Sequence, residues 1–491
     1  MRKLYTFIVF IVTASLFVAC DNRPHHTIYT IQIDSIVGCT YDNQTVELDY
    51  QLMGEATPIT ATTSAEWILN IDTETEGKIK FDIAANDGDK REAKLVVTAT
   101  GHATTEVLIS QIAVPKKTSH TLMFYFFGTS LERFFKANID DAKSAIKEGA
   151  LGSNNRVIFL RQYGSSSAYI DEICYDPTSG ECMERRIETV KFDSTLITTD
   201  EIGQNIAKMA EHAPADRYGI VLAGHGQGWI TREVLNGDSG ISSLSASADL
   251  WQPAIGAEVT RAFGESNVQV NPSELAEGIE KSNVELDYIL FDACFMANIE
   301  ALYDLRNTAN YIIASPCEIM GNGFPYHRTL PYLLAENGAA SDVKGAAESY
   351  YRYYRDEYTS ASRCGSVAVF DCSEIDALAE ATKRVVSTAR EEYDTSTMQT
   401  YEGQSKHSFY DFGEWAEVVA TDEAALAAFN SQLENTVIAK YSLPSFYSAY
   451  GSYGTYPIDL DVYSGVTTSA PSVAHPAAWR ETNWYKYVWQ K

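Results

Sequence analysis

The chain has 491 residues, 45% of them hydrophobic and 12% aromatic, which suits two or three packed domains and excludes a disordered or fibrous protein. A net charge of −28 repels nucleic acid, so no nucleic-acid partner is expected. Eight cysteines in so long a chain are no disulfide scaffold, and no pair has zinc-ligand spacing.

The chain opens with Arg2 and Lys3, then an apolar run from Leu4 to Ala19, then Cys20. That run is short for a membrane span and fits the apolar core of an export signal. Its ending, "LFVAC", resembles a bacterial lipobox, with Phe17 where leucine is commoner. The resemblance implies cleavage before Cys20 and lipidation of that cysteine. Residues 1–20 are thus read as a lipoprotein signal peptide, and 21–27 as a polar tether. The mature chain is then exported and lipid-anchored in the cell envelope, at the outer membrane or cell surface.

Residues 28–114 alternate polar and apolar residues with period 2, as in "TVELDYQL", "KIKFDIAA" and "AKLVVTAT". Turns such as "NDGDK" divide the runs. This predicts a small all-β sandwich with Trp67 in its core. "SAEWILNI" and the strands after it resemble the BACON module of Bacteroidetes surface proteins, a small sandwich once proposed to bind carbohydrate. No aromatic platform stands out, so a spacer is the expected role.

Residues 115–120 form a linker, and the texture then changes. Apolar runs at 121–128, 156–164, 217–224, 286–293, 310–316 and 365–372 alternate with amphipathic stretches such as "TDEIGQNIAKMAEH". This predicts an α/β fold, a mostly parallel sheet flanked by helices, over residues 121–491. "CYDPTSGEC" reads as a hairpin in which Cys174 and Cys182 face each other.

Ligands of open α/β sheets bind beyond the carboxyl ends of strands. Two such ends carry reactive groups. "GIVLAGHGQGW" presents His225 among glycines, and "LDYILFDACFMA" presents Cys294. The helix-like "NPSELAEGIEKS" between them fits a crossover joining parallel neighbours. Imidazole beside thiol can take its proton and create a nucleophile. The N–H groups of Gly226 and Cys294 are placed to aim at a developing oxyanion. Asp292 lies two residues before the thiol.

"VLAGHGQGW" with "YILFDACFMANIEALYDLRNTANYIIASPCEIMGNGFPY" resembles the clostripain family of cysteine peptidases, over about three quarters of the chain. The resemblance implies a caspase-like fold and a Cys–His dyad, with Cys294 the nucleophile and His225 the base. It makes Gly226 and Cys294 the oxyanion hole. Asp292 falls on an aspartate that lines the pocket for an Arg or Lys side chain. The expected substrates are proteins or peptides, cut after Arg and secondarily Lys. No cofactor is expected; calcium, used by some members, has no support in the sequence.

Three positions depart from the family pattern. Asn322, in "GNGF", replaces an acidic residue that helps bind the basic side chain. Residues 233–260 hold no Lys or Arg, leaving Arg232, Arg261 and Lys281 as sites for the self-cleavage by which many members mature. The first strand ends in "FFGTSLE" in place of an acidic Asp-Asn stretch. Cys317, in "SPCE", is expected as a free packed thiol rather than a disulfide partner of Cys294. Two rival readings stand beside the peptidase: an inactive surface-binding lipoprotein, and a glycan-binding protein acting through residues 28–114.

Overall fold

The structure, a computed structural model, describes residues 28–491 apart from 40, 112, 115, 163–166, 178, 192–196, 236–252, 255, 263–268, 335–338, 405, 451–456, 471–473 and 491. The signal segment, Cys20 and the tether lie outside the described residues. Two compact units divide the chain, one up to residue 116 and one from residue 117 on.

The first unit holds strands β1 (Ile31–Ile33), β2 (Ile36–Cys39), β3 (Gln44–Leu52), β4 (Ile59–Thr62), β5 (Ile68–Asp72), β6 (Lys78–Ile83), β7 (Arg91–Ala99) and β8 (Thr105–Gln111). They form two four-stranded sheets, ordered β1-β3-β6-β5 and β2-β8-β7-β4. Alternation fills the space with one face of each sheet: Val46, Ile79, Phe81, Leu95, Val97, Val107 and Ile109 are wholly buried. Trp67 is half-buried at the margin of this core, under the Arg91 guanidinium at 4.6 Å.

The second unit continues with β9 (Thr118–Phe127), α1 (Glu132–Lys147), β10 (Asn155–Gln162), β11 (Ser167–Asp176), β12 (Glu181–Lys191), α2 (Thr199–His212), β13 (Ala215–Ala223), α3 (Arg232–Leu235), α4 (Pro272–Lys281), β14 (Tyr288–Asp292), α5 (Ile299–Leu305), β15 (Tyr311–Ala314), α6 (Tyr326–Leu333), α7 (Val343–Asp356), β16 (Val367–Asp371), α8 (Ile375–Ser387), β17 (Tyr410–Asp411), α9 (Phe412–Val419), α10 (Glu423–Thr436) and β18 (Val437–Tyr441). Its nine-stranded sheet runs β12-β11-β10-β9-β13-β14-β15-β16-β18. The five central strands, β10 to β15 in that order, are parallel, and antiparallel strands extend both wings. The parallel strands are apolar end to end because helices cover the sheet: β9 buries Leu122 to Phe126, and β14 buries every residue. This is the mostly parallel, helix-flanked architecture expected of a caspase-like chain.

Local signals set the crossovers. Thr198 and Glu201 close a capping box on α2, and Asn271 and Glu274 do so on α4, with Pro272 at its first turn. The two helices pack at Gly203 and Gly278, where a Cβ at Gly278 would fall 2.8 Å from Ile202. The β11–β12 ribbon pairs Tyr175 with Cys182 and Cys174 with Met183. The expected cysteine pair is therefore offset by one residue, which turns the side chains to opposite faces. Both are free thiols, and Cys182 donates to the Lys143 carbonyl at 3.7 Å.

Candidate functional site

β13 and β14 are parallel neighbours with Ala223 opposite Asp292. Each chain runs two residues past that pair, to His225 and to Cys294, so both emerge at one rim. Gly226 packs so closely on Cys294 that a Cβ there would lie 2.1 Å from the Cys294 carbonyl oxygen. The chain turns sharply after the cysteine: Phe295 takes φ 61°, stacks on Phe409 and donates its N–H to the Cys317 carbonyl at 3.0 Å. A left-handed bulky residue costs on the order of 1 kcal/mol or more and is held only where the surroundings insist on it.

The thiol is fully buried. Its Sγ accepts from Ile319 N–H at 3.0 Å and donates to the Ile319 carbonyl at 3.6 Å. Burial, with Glu318 nearby, pushes the thiol well above its ordinary pKa, so it is held protonated here. His225 is half-buried, and its Nε2 lies 2.8 Å from Ser130 Oγ. Ser130 comes from the stretch after β9 that departs from the family pattern.

A segment of the chain itself occupies the rim. The Arg261 carbonyl oxygen accepts from Gly226 N–H at 2.8 Å and from Cys294 N–H at 3.2 Å. Arg261 N–H donates to the Ile319 carbonyl at 2.8 Å, and Gly321 N–H to the Val259 carbonyl at 2.7 Å. Thr260 and Met320 form an antiparallel bridge. Residues 259–261 thus lie extended and antiparallel along 319–321, joined by an isolated bridge and backbone hydrogen bonds, as a bound peptide pairs through its main chain.

The Arg261 side chain fills the pocket beneath. Its guanidinium is wholly buried, as is Asp292, 2.9 Å away. Nε donates to the Gly321 carbonyl (3.1 Å), Nη1 also to the Asp292 carbonyl (3.1 Å), and Nη2 to Asn138 Oδ1 (2.7 Å). Asp292 Oδ2 further accepts from the Tyr326 hydroxyl at 2.7 Å and from Phe324 N–H at 3.3 Å. Burial raises the Asp292 carboxyl, while Arg261 and these donors oppose the rise. Gly323, at φ +69°, makes room: a Cβ there would lie 2.3 Å from Nη2. Asn322 is exposed and takes part through its carbonyl, which accepts from Asn138 Nδ2 at 2.8 Å.

The sequence reading did not single out Asn138 or Ser130. Asn138 had a signal: it is a polar residue on the buried stripe of α1, among Phe135, Ile139 and Ala142. Ser130 had none, since a serine before a helix reads as a cap. The other two basic candidates sit elsewhere. Arg232 pairs with Glu274 at 2.6 Å, and Lys281 pairs with Asp200 at 2.7 Å. Cys294 and Cys317 are both free and buried. Among the described residues no group of three or more His, Cys, Asp or Glu is placed to hold a metal ion. Nor is any described helix long and apolar enough to cross a membrane.

Residues 248–453 match the family profile described as the clostripain family. No curated protein matches the chain. Among solved structures, a secreted C11 cysteine protease from Bacteroides thetaiotaomicron, "iotapain", is 28% identical at a TM-score of 0.65, over 76% of this chain and all of its own. An inactive zymogen C11 protease from Parabacteroides distasonis is 26% identical at 0.63, over 77% of this chain and all of its own. A secreted C11 cysteine protease from Bacteroides thetaiotaomicron in complex with an irreversible peptide inhibitor is 25% identical at 0.62, over 76% of this chain and all of its own.

Proposed function

From the premise that this chain belongs to the clostripain family of cysteine peptidases, we propose that it is an arginine-directed endopeptidase with a Cys294–His225 dyad, here in its latent form. The observation that carries the reading is the double seating of Arg261: its carbonyl oxygen sits on two backbone N–H groups while its guanidinium sits on Asp292. A substrate arginine is to take the same two places. The first bond cut is then the chain's own, between Arg261 and Ala262.

In this mechanism the thiol turns from Ile319 and gives its proton to His225. The sulfur bonds to the Arg261 carbonyl carbon, and the oxyanion is held by Gly226 and Cys294 N–H. His225 passes the proton to the departing Ala262 amine as the C–N bond breaks, leaving a thioester. Water, deprotonated by His225, releases the carboxylate and restores the thiol. Burial holds the thiol of the latent form protonated, which slows the first cut, made with the strand seated; departure of residues 259–261 after that cut exposes the thiol for later substrates. The similarity to a zymogen protease accords with a latent form.

Four N–H donations to fixed acceptors favour arginine over lysine, whose ammonium is a point charge without the planar fork. Asn138 accepts from one arm of that fork, in place of the acidic residue replaced by Asn322. Export and lipidation at Cys20 rest on "LFVAC", and export is in keeping with the relative described as secreted. Residues 28–114 act as a spacer: among its described residues the exposed large hydrophobics are Ile28, Ile36, Met53, Leu69 and Val114, with no aromatic platform. The test is intact mass and N-terminal sequencing of the purified chain. A new N-terminus at Ala262, absent in Cys294→Ala, supports the reading; an uncut chain that takes no peptidyl-Arg acyloxymethylketone overturns it.

A further inference from the structure

Beside His225 lies an apolar cavity that the mechanism does not use. It measures about 60 Å³ and is walled by Phe127, Leu222, Val270, Leu275, Phe291 and Met296, together with His225 and Gln227. We propose that this cavity receives an apolar side chain, of leucine or methionine size, from the substrate residue immediately after the cut arginine. The proposal rests on the peptidase reading above and adds to it a preference on the departing side of the bond.

The direction of the chain brings the departing peptide here. Ala262, the residue after the cut, forms a parallel bridge with Gly226, so the chain past Arg261 heads the same way as Gln227 and Gly228. Gly226, Gln227 and Gly228 all line the cavity. The sheet keeps this cavity apart from the arginine pocket. On β14, Asp292 holds the guanidinium while its neighbour Phe291 lines the cavity. Successive strand residues point to opposite faces, so the arginine leaves the cavity free. Asn138 of α1 and Tyr326 of α6 serve the arginine side, and Leu275 of α4 closes the other.

The chain's own residue after the cut is small. Ala262 is 2% exposed and its carbonyl accepts from the Tyr450 hydroxyl at 3.0 Å, but its side chain is only a methyl group. Leucine or methionine adds further apolar atoms, each of which gains by leaving water. A carboxylate or ammonium set among these walls loses its hydration. Gln227 gives a second sign of a ligand. It is 5% exposed and lines the cavity, and its Nε2 has no hydrogen-bond partner among the described residues. A main-chain carbonyl of the departing peptide supplies the acceptor that this buried donor lacks. Phe127, Leu222, Leu275 and Phe291 stand on strands and a helix outside residues 259–261, so these walls remain after processing.

The test uses peptides Glu-Val-Thr-Arg-Xaa-Phe-Gly, the chain's own sequence from 258 to 264 with Xaa at position 262. Xaa is Leu, Met, Ala, Asp or Lys, and kcat/KM for cleavage after arginine is measured on the full-length, self-processed protein. Leu and Met should exceed Ala by about tenfold, and Asp and Lys should fall below Ala. Leu and Ala cut at one rate, or a charged residue ranked first, overturns the proposal. Leu275→Phe narrows the cavity and should shrink the Leu-over-Ala ratio; an unchanged ratio in a folded variant also overturns it. Should that variant not fold, the wild-type ranking decides. Labelling by a peptidyl-Arg acyloxymethylketone separates the two readings. A labelled protein without the ranking loses this proposal alone, whereas a protein that neither labels nor cuts loses the peptidase reading and this proposal with it.

Discussion

The two units of this chain treat charge differently. In the β-sandwich the buried polar side chains among the described residues are Asn86 and Gln111, and ion pairs such as Lys94–Glu106 (2.6 Å) lie exposed. The α/β unit buries Arg261, Asp292, Glu300, Glu318 and Glu402. Burying charge is expensive, and a fold that needs only a core avoids it. Glu300 shows the structural use: Ser469 N–H, the Thr468 hydroxyl and the Trp479 indole all donate to it. Arg261–Asp292 and Thr260–Glu318 differ, because one partner of each belongs to a strand expected to leave.

That contrast can be broken at its strongest point first. Cys294→Ala should lower the rate of scission after Arg261 by at least about 1000-fold, as removal of a nucleophile does. Intact mass over time reads it. Persistent scission would mean another enzyme cuts the chain.

Next, in the uncut Cys294→Ala background, Arg261→Ala should lower unfolding stability by about 3 kcal/mol, because it leaves Asp292 buried and uncompensated. Denaturant midpoints measure it. A loss below about 1 kcal/mol would show that the pocket hydrates freely.

Asn138→Ala removes one acceptor of the guanidinium fork. It should reduce kcat/KM for arginyl peptides about tenfold and for lysyl peptides less, so the Arg-to-Lys ratio falls. An unchanged ratio returns the preference to Asp292 alone.

A smaller effect follows pH. His120, on β9 against Tyr288, is buried, and burial lowers its imidazole from 6.5 to about 4. The folded state therefore disfavours the protonated ring that the unfolded chain accepts. Its contribution is full above pH 6.5 and is lost as pH falls from 6.5 toward 4, by up to about 1.4 kcal/mol per pH unit. The melting temperature of the α/β unit should drop across that window, and His120→Phe should flatten the slope. The smallest effect lies in the sandwich, where Lys94→Ala should change stability by less than about 1 kcal/mol.

Much of this was legible in the chain. The segment "TDEIGQNIAKMAEH" is helix α2 from its first residue to its last, because a capping box and a 3.6-residue stripe agree. The runs "RYGIVLAG" and "LDYILFDA" became neighbouring parallel strands, because two apolar runs joined by a helical crossover have few other ways to pair. The facing of Cys174 and Cys182 was not legible, since one residue of register reverses it and the turn alone does not fix register.

What the sequence determined by itself is periodic or local: two kinds of texture, the helices with their caps, and the glycines and reactive side chains at two strand ends. What only the tertiary structure decided is which residues fill the rim. Arg261 was one of three basic candidates until the strand 259–261 was seen along 319–321. Asn138 lies 123 residues from the guanidinium it binds, and Glu318 lies 58 residues from Thr260. Hydrogen bonds and ion pairs are short-ranged in space and indifferent to separation along the chain. Sequence spacing therefore carries no trace of them until the sheet brings the residues within reach.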